Sequence, residues 1–187
     1  FWGPIMAGAT VIPPEEEWTP LQKGLFEQIR DSKKMSDKKR ERLYEQIKEL
    51  VPCTAVGVVH ANEINEKGIQ WANREAFRRA IQGLDLADID LETEVRLVVD
   101  GVLMIDDWKG EQQLVIEGDD TYLAIATSSI LAKVEHDRWI RSYCDTHPEC
   151  NDRYDLVKSK GYGTAKHREG IRLYGGHNLH RELYIQR

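Results

Sequence analysis

No apolar run in this chain approaches the roughly 20 residues that cross a bilayer, so a membrane-spanning helix is excluded. Cysteine is scarce: Cys53, Cys144 and Cys150 make no even framework, which predicts a reducing, cytoplasmic setting rather than a disulfide scaffold. A cationic excess is missing too. The net charge is −6, so the global field repels nucleic acid and any such contact must come from local basic patches. Internal repeats, long linkers and a recognisable signal peptide are all lacking. What remains is 187 residues, 41% hydrophobic and 31% charged, which predicts one globular domain with a buried core.

The segment from Val95 to Lys133 organises the rest. Leu97-Val98-Val99 runs into Asp100-Gly101, and Leu114-Val115-Ile116 runs towards Gly118-Asp119. Short β-branched runs bounded by glycine read as buried strands, each delivering an aspartate at its end. The two aspartates lie 19 residues apart, room for a strand, a connection and a second strand. If they converge they repel, unless one is protonated or a cation bridges them. Hard divalent ions take such oxygen ligands. The alternative is that both are ordinary turn residues. From Ala124 a helix carrying Ser128, Ser129, Lys133 and Asp137 is predicted to about Tyr143. Asp137 lies one turn beyond Lys133, so the pair is either a plain ion pair or a support for the acidic cluster.

Elsewhere, Ile5 to Ile12 reads as a strand stopped by Pro13-Pro14. EEEWTPLQKG reads as a loop with at most a turn of helix. Ser36 is placed as the N-cap of a helix with Leu43, Ile47 and Leu50 on its core face. Five cations between Lys33 and Arg40 form either a solvated face or a phosphate contact. Thr54 to His60 predicts a strand and Glu63 to Leu84 one helix, with Ala72, Ala76 and Ala80 on the inner face. Cys144, His147 and Cys150 offer three soft ligands where a structural zinc site wants four. A short helix from Thr164 to Tyr174 should close at Gly175-Gly176. This order of elements predicts an α/β or α+β sandwich.

Five phrases, taken together, resemble ribonuclease HII. They are Asp31-Ser32-Lys33-Lys34-Met35-Ser36; Val99-Asp100-Gly101; the run from Gly118-Asp119 through Ala132-Lys133-Val134 to Asp137; Lys160-Gly161-Tyr162-Gly163-Thr164 with His167; and His180-Arg181. The resemblance implies a ribonuclease H-like mixed sheet flanked by helices, in a single domain spanning 1–187 with a helical part from 138. It implies endonucleolytic cleavage of RNA in RNA–DNA hybrids and at ribonucleotides embedded in duplex DNA. The chemistry implied is two-metal-ion hydrolysis with Mg²⁺ or Mn²⁺, giving 3′-hydroxyl and 5′-phosphate ends, by a monomer. Asp100 and Asp119 become metal ligands and catalytic residues. Ser32, Lys33, Lys34, Ser129, Lys133, Lys160, Tyr162 and Arg181 become substrate contacts, with Tyr162 sensing the 2′-hydroxyl region. The family also carries Asp-Glu-x-Gly-Arg-Gly on its central strand, ahead of a Gly-Pro such as Gly3-Pro4. That phrase is not in residues 1–187, and the expectation is a parent chain that supplies it. A hybrid-binding protein that does not cut, an α/β domain with no nucleic-acid role and the related type III enzymes are the alternatives.

Overall fold

A β-branched, small-residue run makes β1 (Ile5–Thr10), which pairs antiparallel with β2 (Thr54–Val59) from Ile5 opposite Val59 to Thr10 opposite Thr54. The computed structural model describes residues 1–30, 35–86 and 95–185. Between β1 and β2 lie α1 (Pro20–Arg30) and α2 (Asp37–Leu50). Ser36 caps α2 as predicted, its hydroxyl accepting from the Lys39 N–H at 3.2 Å. The loop expected at Thr19–Gly24 is instead the start of α1. Thr19 and Gln22 bond each other reciprocally, at 2.9 Å and 3.2 Å, in a capping box with Pro20 at the first helical position.

The helix expected from Glu63 to Leu84 is two helices, α3 (Ala61–Lys67) and α4 (Ile69–Gln82). Gly68 divides them at φ +85°, a conformation that side chains resist and glycine accepts. The Ala72, Ala76 and Ala80 stripe is fully buried. It presses α4 onto β2 so closely that a Cβ on Gly57 would lie 2.1 Å from the Ala76 carbonyl oxygen.

Next come β3 (Leu97–Asp100) and β4 (Gln112–Val115), paired in parallel. The expectation of buried strands holds only on one side. Val99 is buried, whereas Leu114 and Ile116 are exposed, because this sheet has two strands and only one covered face. The long α5 (Leu123–Thr146) packs against β1, α1 and α2. Its inner face joins Leu25, Phe26, Leu43 and Ile47 through Ile130, Leu131 and Val134. The chain ends with α6 (Pro148–Tyr154), α7 (Leu156–Ser159) and α8 (Ala165–Tyr174), the last capped by Thr164 and closed at Gly175. Cys144 and Cys150 are core thiols beside Tyr154, Leu156 and Trp2, so the last helices are sealed onto the chain's first residues. His147 stands exposed, stacked on Tyr143 at the margin of that cluster.

Gly8 shows how tightly β1 is seated on α5. A Cβ there would lie 2.2 Å from the Ser128 carbonyl oxygen and 2.8 Å from its carbon. Backbone cannot yield as a side-chain tip can, so Gly8→Ala should cost about 3 kcal/mol or more, at the upper end for overpacked cores. A chemical denaturation midpoint equal to that of the unaltered chain would refute this contact.

Candidate active site

Parallel pairing decides where the two aspartates go. In β3 and β4 both strands end on the same edge, with Asp100 opposite Val115. Three residues after Val115, Gly118 turns back in a short 3-10 helix (Gly118–Asp120), and its N–H donates to Asp100 Oδ1 at 3.1 Å. Asp119 is the next residue, so both aspartates stand at one sheet edge. Glu117 enters the turn in the left-handed region at φ 55°. Gly118 is buried, and a Cβ on it would lie 2.4 Å from Ile125 Cδ1 and 3.6 Å from Asp100 Oδ1. Both aspartates are exposed, which keeps their oxygens available to an ion or a substrate.

The pair suits a hard divalent cation, since Mg²⁺ is commonly held by one or two carboxylates together with waters and substrate phosphates. Among the described residues, no three His, Cys, Asp or Glu side chains are grouped to hold a metal ion. Two exposed carboxylates at one edge have the donor chemistry for one cation, and a second would need ligands from outside this set.

Two concavities meet at this edge. A cavity of about 460 Å³ lies between β1 and β3 over α5, lined by residues 6–12 and 95–100 and by Ser128 and Ser129. Among the described residues, β1 pairs only with β2, and β3 only with β4, so each turns an unpaired edge toward the cavity. A single mixed sheet is thus divided here into two pairs of strands. On the other side a groove of about 350 Å³ joins Asp119 and Asp120 to Ser129, Lys133 and Arg40.

Tyr162 stands beyond that groove, 60% exposed, so it is no core tyrosine. Lys160 and Gly161 take left-handed conformations at φ 50° and 71°, forming the turn that presents it. The Lys133 ammonium lies 4.9 Å over the ring centroid. Lys160 bonds both oxygens of Asp37 at 2.7 Å and lies 3.0 Å from Asp137. Asp137 also meets Lys133 at 3.1 Å. Burial alone would raise the Asp137 carboxyl, but hydrogen bonds from His136, Lys160 and Lys133 outweigh it and hold the group well below the usual carboxylate range.

Behind the tyrosine turn a histidine chain is completely buried. The Tyr162 carbonyl can only accept, so His167 Nδ1 carries a proton and donates to it at 2.9 Å. His167 Nε2 is then bare and accepts from His180 Nε2–H at 3.0 Å. His180 Nδ1 in turn accepts the His177 N–H at 2.7 Å. Both imidazoles are therefore neutral, and burial pushes both below the usual histidine range, His180 to about 4.

Of the other residues expected at the site, Arg181 faces inward. Its guanidinium donates to the Gly3 and Pro4 carbonyls at 3.1 Å and 2.7 Å, tying the tail to the start of β1. Ser32, Lys33 and Lys34 lie outside the described residues. Their neighbour Met35 is held through its carbonyl by Arg40 at 3.1 Å, and Asp37 by Arg40 and Lys160. Sequence reading counts Arg40 among five cations and leaves Asp37 out of the site, since its partner Lys160 is recognisable only in three dimensions.

A family model described as Ribonuclease HII matches residues 1–186. Ribonuclease HII of Prochlorococcus marinus is 38% identical over 187 residues, covering 100% of this chain and 91% of that protein. Ribonuclease HII of Fusobacterium nucleatum is 36% identical over 186 residues, covering 99% and 80%. Among solved structures, the ribonuclease H2 from Pyrococcus horikoshii aligns at TM-score 0.72 and 20% identity, over 98% of this chain and 87% of that one. A Bst ribonuclease HIII in complex with Mn²⁺ aligns at TM-score 0.64 and 17% identity, over 96% and 60%. The fold is thus the ribonuclease H-like α/β architecture expected.

Proposed function

This chain belongs to the ribonuclease HII family, and from that premise we propose that it cleaves RNA strands in RNA–DNA hybrids and at ribonucleotides embedded in duplex DNA. The observation that carries the reading is the shared strand edge, where Asp100 accepts the Gly118 N–H and Asp119 follows in the same turn. A divalent ion bound by these carboxylates would activate water and stabilise the leaving oxygen. The residues themselves hold the geometry. Gly118 positions Asp100, β4 delivers Asp119, and Lys133 and Ser129 line the groove leading from the acids to Tyr162. The exposed Tyr162 ring offers a stacking face and a hydroxyl to the nucleotide bearing the 2′-OH, the group that distinguishes RNA from DNA. Ser32, Lys33 and Lys34 add phosphate affinity, whereas the Lys160 ammonium is already taken by Asp37 and Asp137 and acts through the tyrosine turn. Arg181 acts through the fold.

Two-metal chemistry needs further carboxylates. The cavity between β1 and β3 reaches Asp100 and offers unpaired backbone on both sides, which suits one extended strand. An Asp-Glu pair on such a strand would complete the acidic set. A second reading is hybrid binding without cleavage, favoured by the lack of a third grouped carboxylate among the described residues. One experiment separates the two. The chain, alone and extended upstream of Phe1 by an Asp-Glu strand, is incubated with hybrid and either Mg²⁺ or Mn²⁺. Cleavage giving 3′-hydroxyl ends supports the enzyme, and salt-sensitive binding without cleavage supports the alternative. Neither outcome would leave an α/β domain with no nucleic-acid role.

Within the active protein, Tyr162→Ala should weaken cleavage at a single embedded ribonucleotide by one to a few kcal/mol, about the worth of base–aromatic stacking. Continuous hybrid should suffer less. Equal losses on both substrates, measured as kcat/KM, would make the tyrosine structural.

A further inference from the structure

We propose that Asp137 is a positioning residue for Tyr162, acting through Lys133, which lies over its ring, and Lys160, which opens its turn; this rests on the reading of Tyr162 as the ribonucleotide sensor. Asp137 touches neither Asp100 nor Asp119 in any hydrogen bond or ion pair of the described residues. Its side chain is only 9% exposed, and its two oxygens serve different elements. Oδ1 meets the Lys133 ammonium on its own helix, and Oδ2 meets Lys160 at the entrance to the tyrosine turn. A buried carboxylate is costly unless paired, and leaving either lysine unpaired in turn is costly too. The three groups therefore hold one another in a single arrangement.

The consequence falls on the ring. The Tyr162 backbone is secured independently: its N–H bonds the Ser159 carbonyl at 2.9 Å, and its carbonyl accepts from Thr164 N–H at 2.8 Å and from His167. The ring is mostly exposed, and the contact found on its face is the Lys133 ammonium. Without Asp137, that ammonium would lose its buried partner and gain freedom to swing into solvent. Lys160 would keep Asp37, but Asp37 is 60% exposed and holds it less firmly. Lys160 also sits in the left-handed region at φ 50°, a conformation a non-glycine residue keeps only when its surroundings impose it. The alternation Asp37, Lys160, Asp137, Lys133 thus runs from the first turn of α2 to the face of the sensor. It ties the element after Ser32–Lys34 to the one that reads the sugar.

The test needs no cleavage. Two duplexes differing only in one 2′-hydroxyl are titrated against the unaltered chain, Asp137→Asn, and Lys133→Met, which keeps the stem and removes the charge. Tyrosine ring NMR signals are followed in parallel, with Tyr162→Phe assigning the resonance. Both variants should lower the preference for the ribonucleotide duplex by about three- to tenfold, the range of a partly desolvated cation–π contact. The double variant should lose no more than either single one. The Tyr162 signal should shift in both, while those of buried Tyr44 and Tyr154 stay in place. A Tyr162 signal unmoved in Lys133→Met or in a folded Asp137→Asn overturns the proposal. So does a shift of all tyrosines together, which marks a general loss of packing. An unaltered chain with no ribonucleotide preference refutes the sensor reading alone, because the ring shift still reports on Asp137.

Discussion

Asparagine in place of Asp100 should lower hybrid cleavage at least about a thousandfold, or some 4 kcal/mol of barrier, while changing hybrid affinity by less than about threefold. The swap keeps shape and one oxygen that can accept the Gly118 N–H, so the turn survives. What it removes is the negative charge that, on the proposed reading, would hold a divalent ion against the scissile phosphate. The expected pattern is a collapse of kcat, little movement in binding, and no rescue by more Mg²⁺. Asp119→Asn should behave alike, because both side chains serve one edge. The measurement belongs in whichever form of the chain cuts hybrid. A variant that turns over at the unaltered rate would reduce Asp100 to a strand-end turn residue and end the metal-assisted reading.

Mild acid should destabilise the fold by about 2 kcal/mol between pH 7 and pH 5, through the buried histidine chain. His180 is 1% exposed, and burial first, then His167, lowers its pKa to about 4, against the ordinary 6.5 it regains on unfolding. Between those two values the unfolded chain binds the extra proton and the folded chain does not, so stability rises with pH across that window. The loss on acidification begins near pH 6.5, and this group adds nothing more below about 4. His167 shifts in the same direction. The carboxylates held low, Glu63 at about 2 and Asp137, lose their contribution only in stronger acid, so the upper part of the window isolates the histidines. Urea midpoints at half-unit intervals would trace the slope. A midpoint flat from pH 7 to pH 5 would mean that the folded histidines take up the extra proton as readily as the unfolded ones.

Much of this molecule was legible in short windows. The Ser36 cap, the β-branched strands, the alanine stripe of α4 and the Thr164-to-Gly175 helix all rest on interactions a few residues apart, which any reading of spacing can find. The start of α1 was equally local. Thr19, Pro20 and Gln22 spell a capping box that was passed over because the acidic stretch before it reads as loop. The division at Gly68 was visible as a glycine in a helical pattern, but its positive φ was not.

Local sequence determined that two strands would each deliver an aspartate, and the spaced motifs determined the family. Only the tertiary structure decided that β3 and β4 run parallel, and this puts both aspartates on one edge instead of opposite ones. It alone turned Arg181 inward to two carbonyls and matched His167 with His180. It also gave Asp137 a second lysine from another element, with Asp37 beyond it. The physical reason is the same throughout. Caps and stripes are fixed by neighbours along the chain, whereas the partner of a buried charge or imidazole is fixed by which surfaces pack. Nothing in the spacing of Asp37, Asp137 and Lys160 encodes their meeting before α2, α5 and the tyrosine turn are folded together.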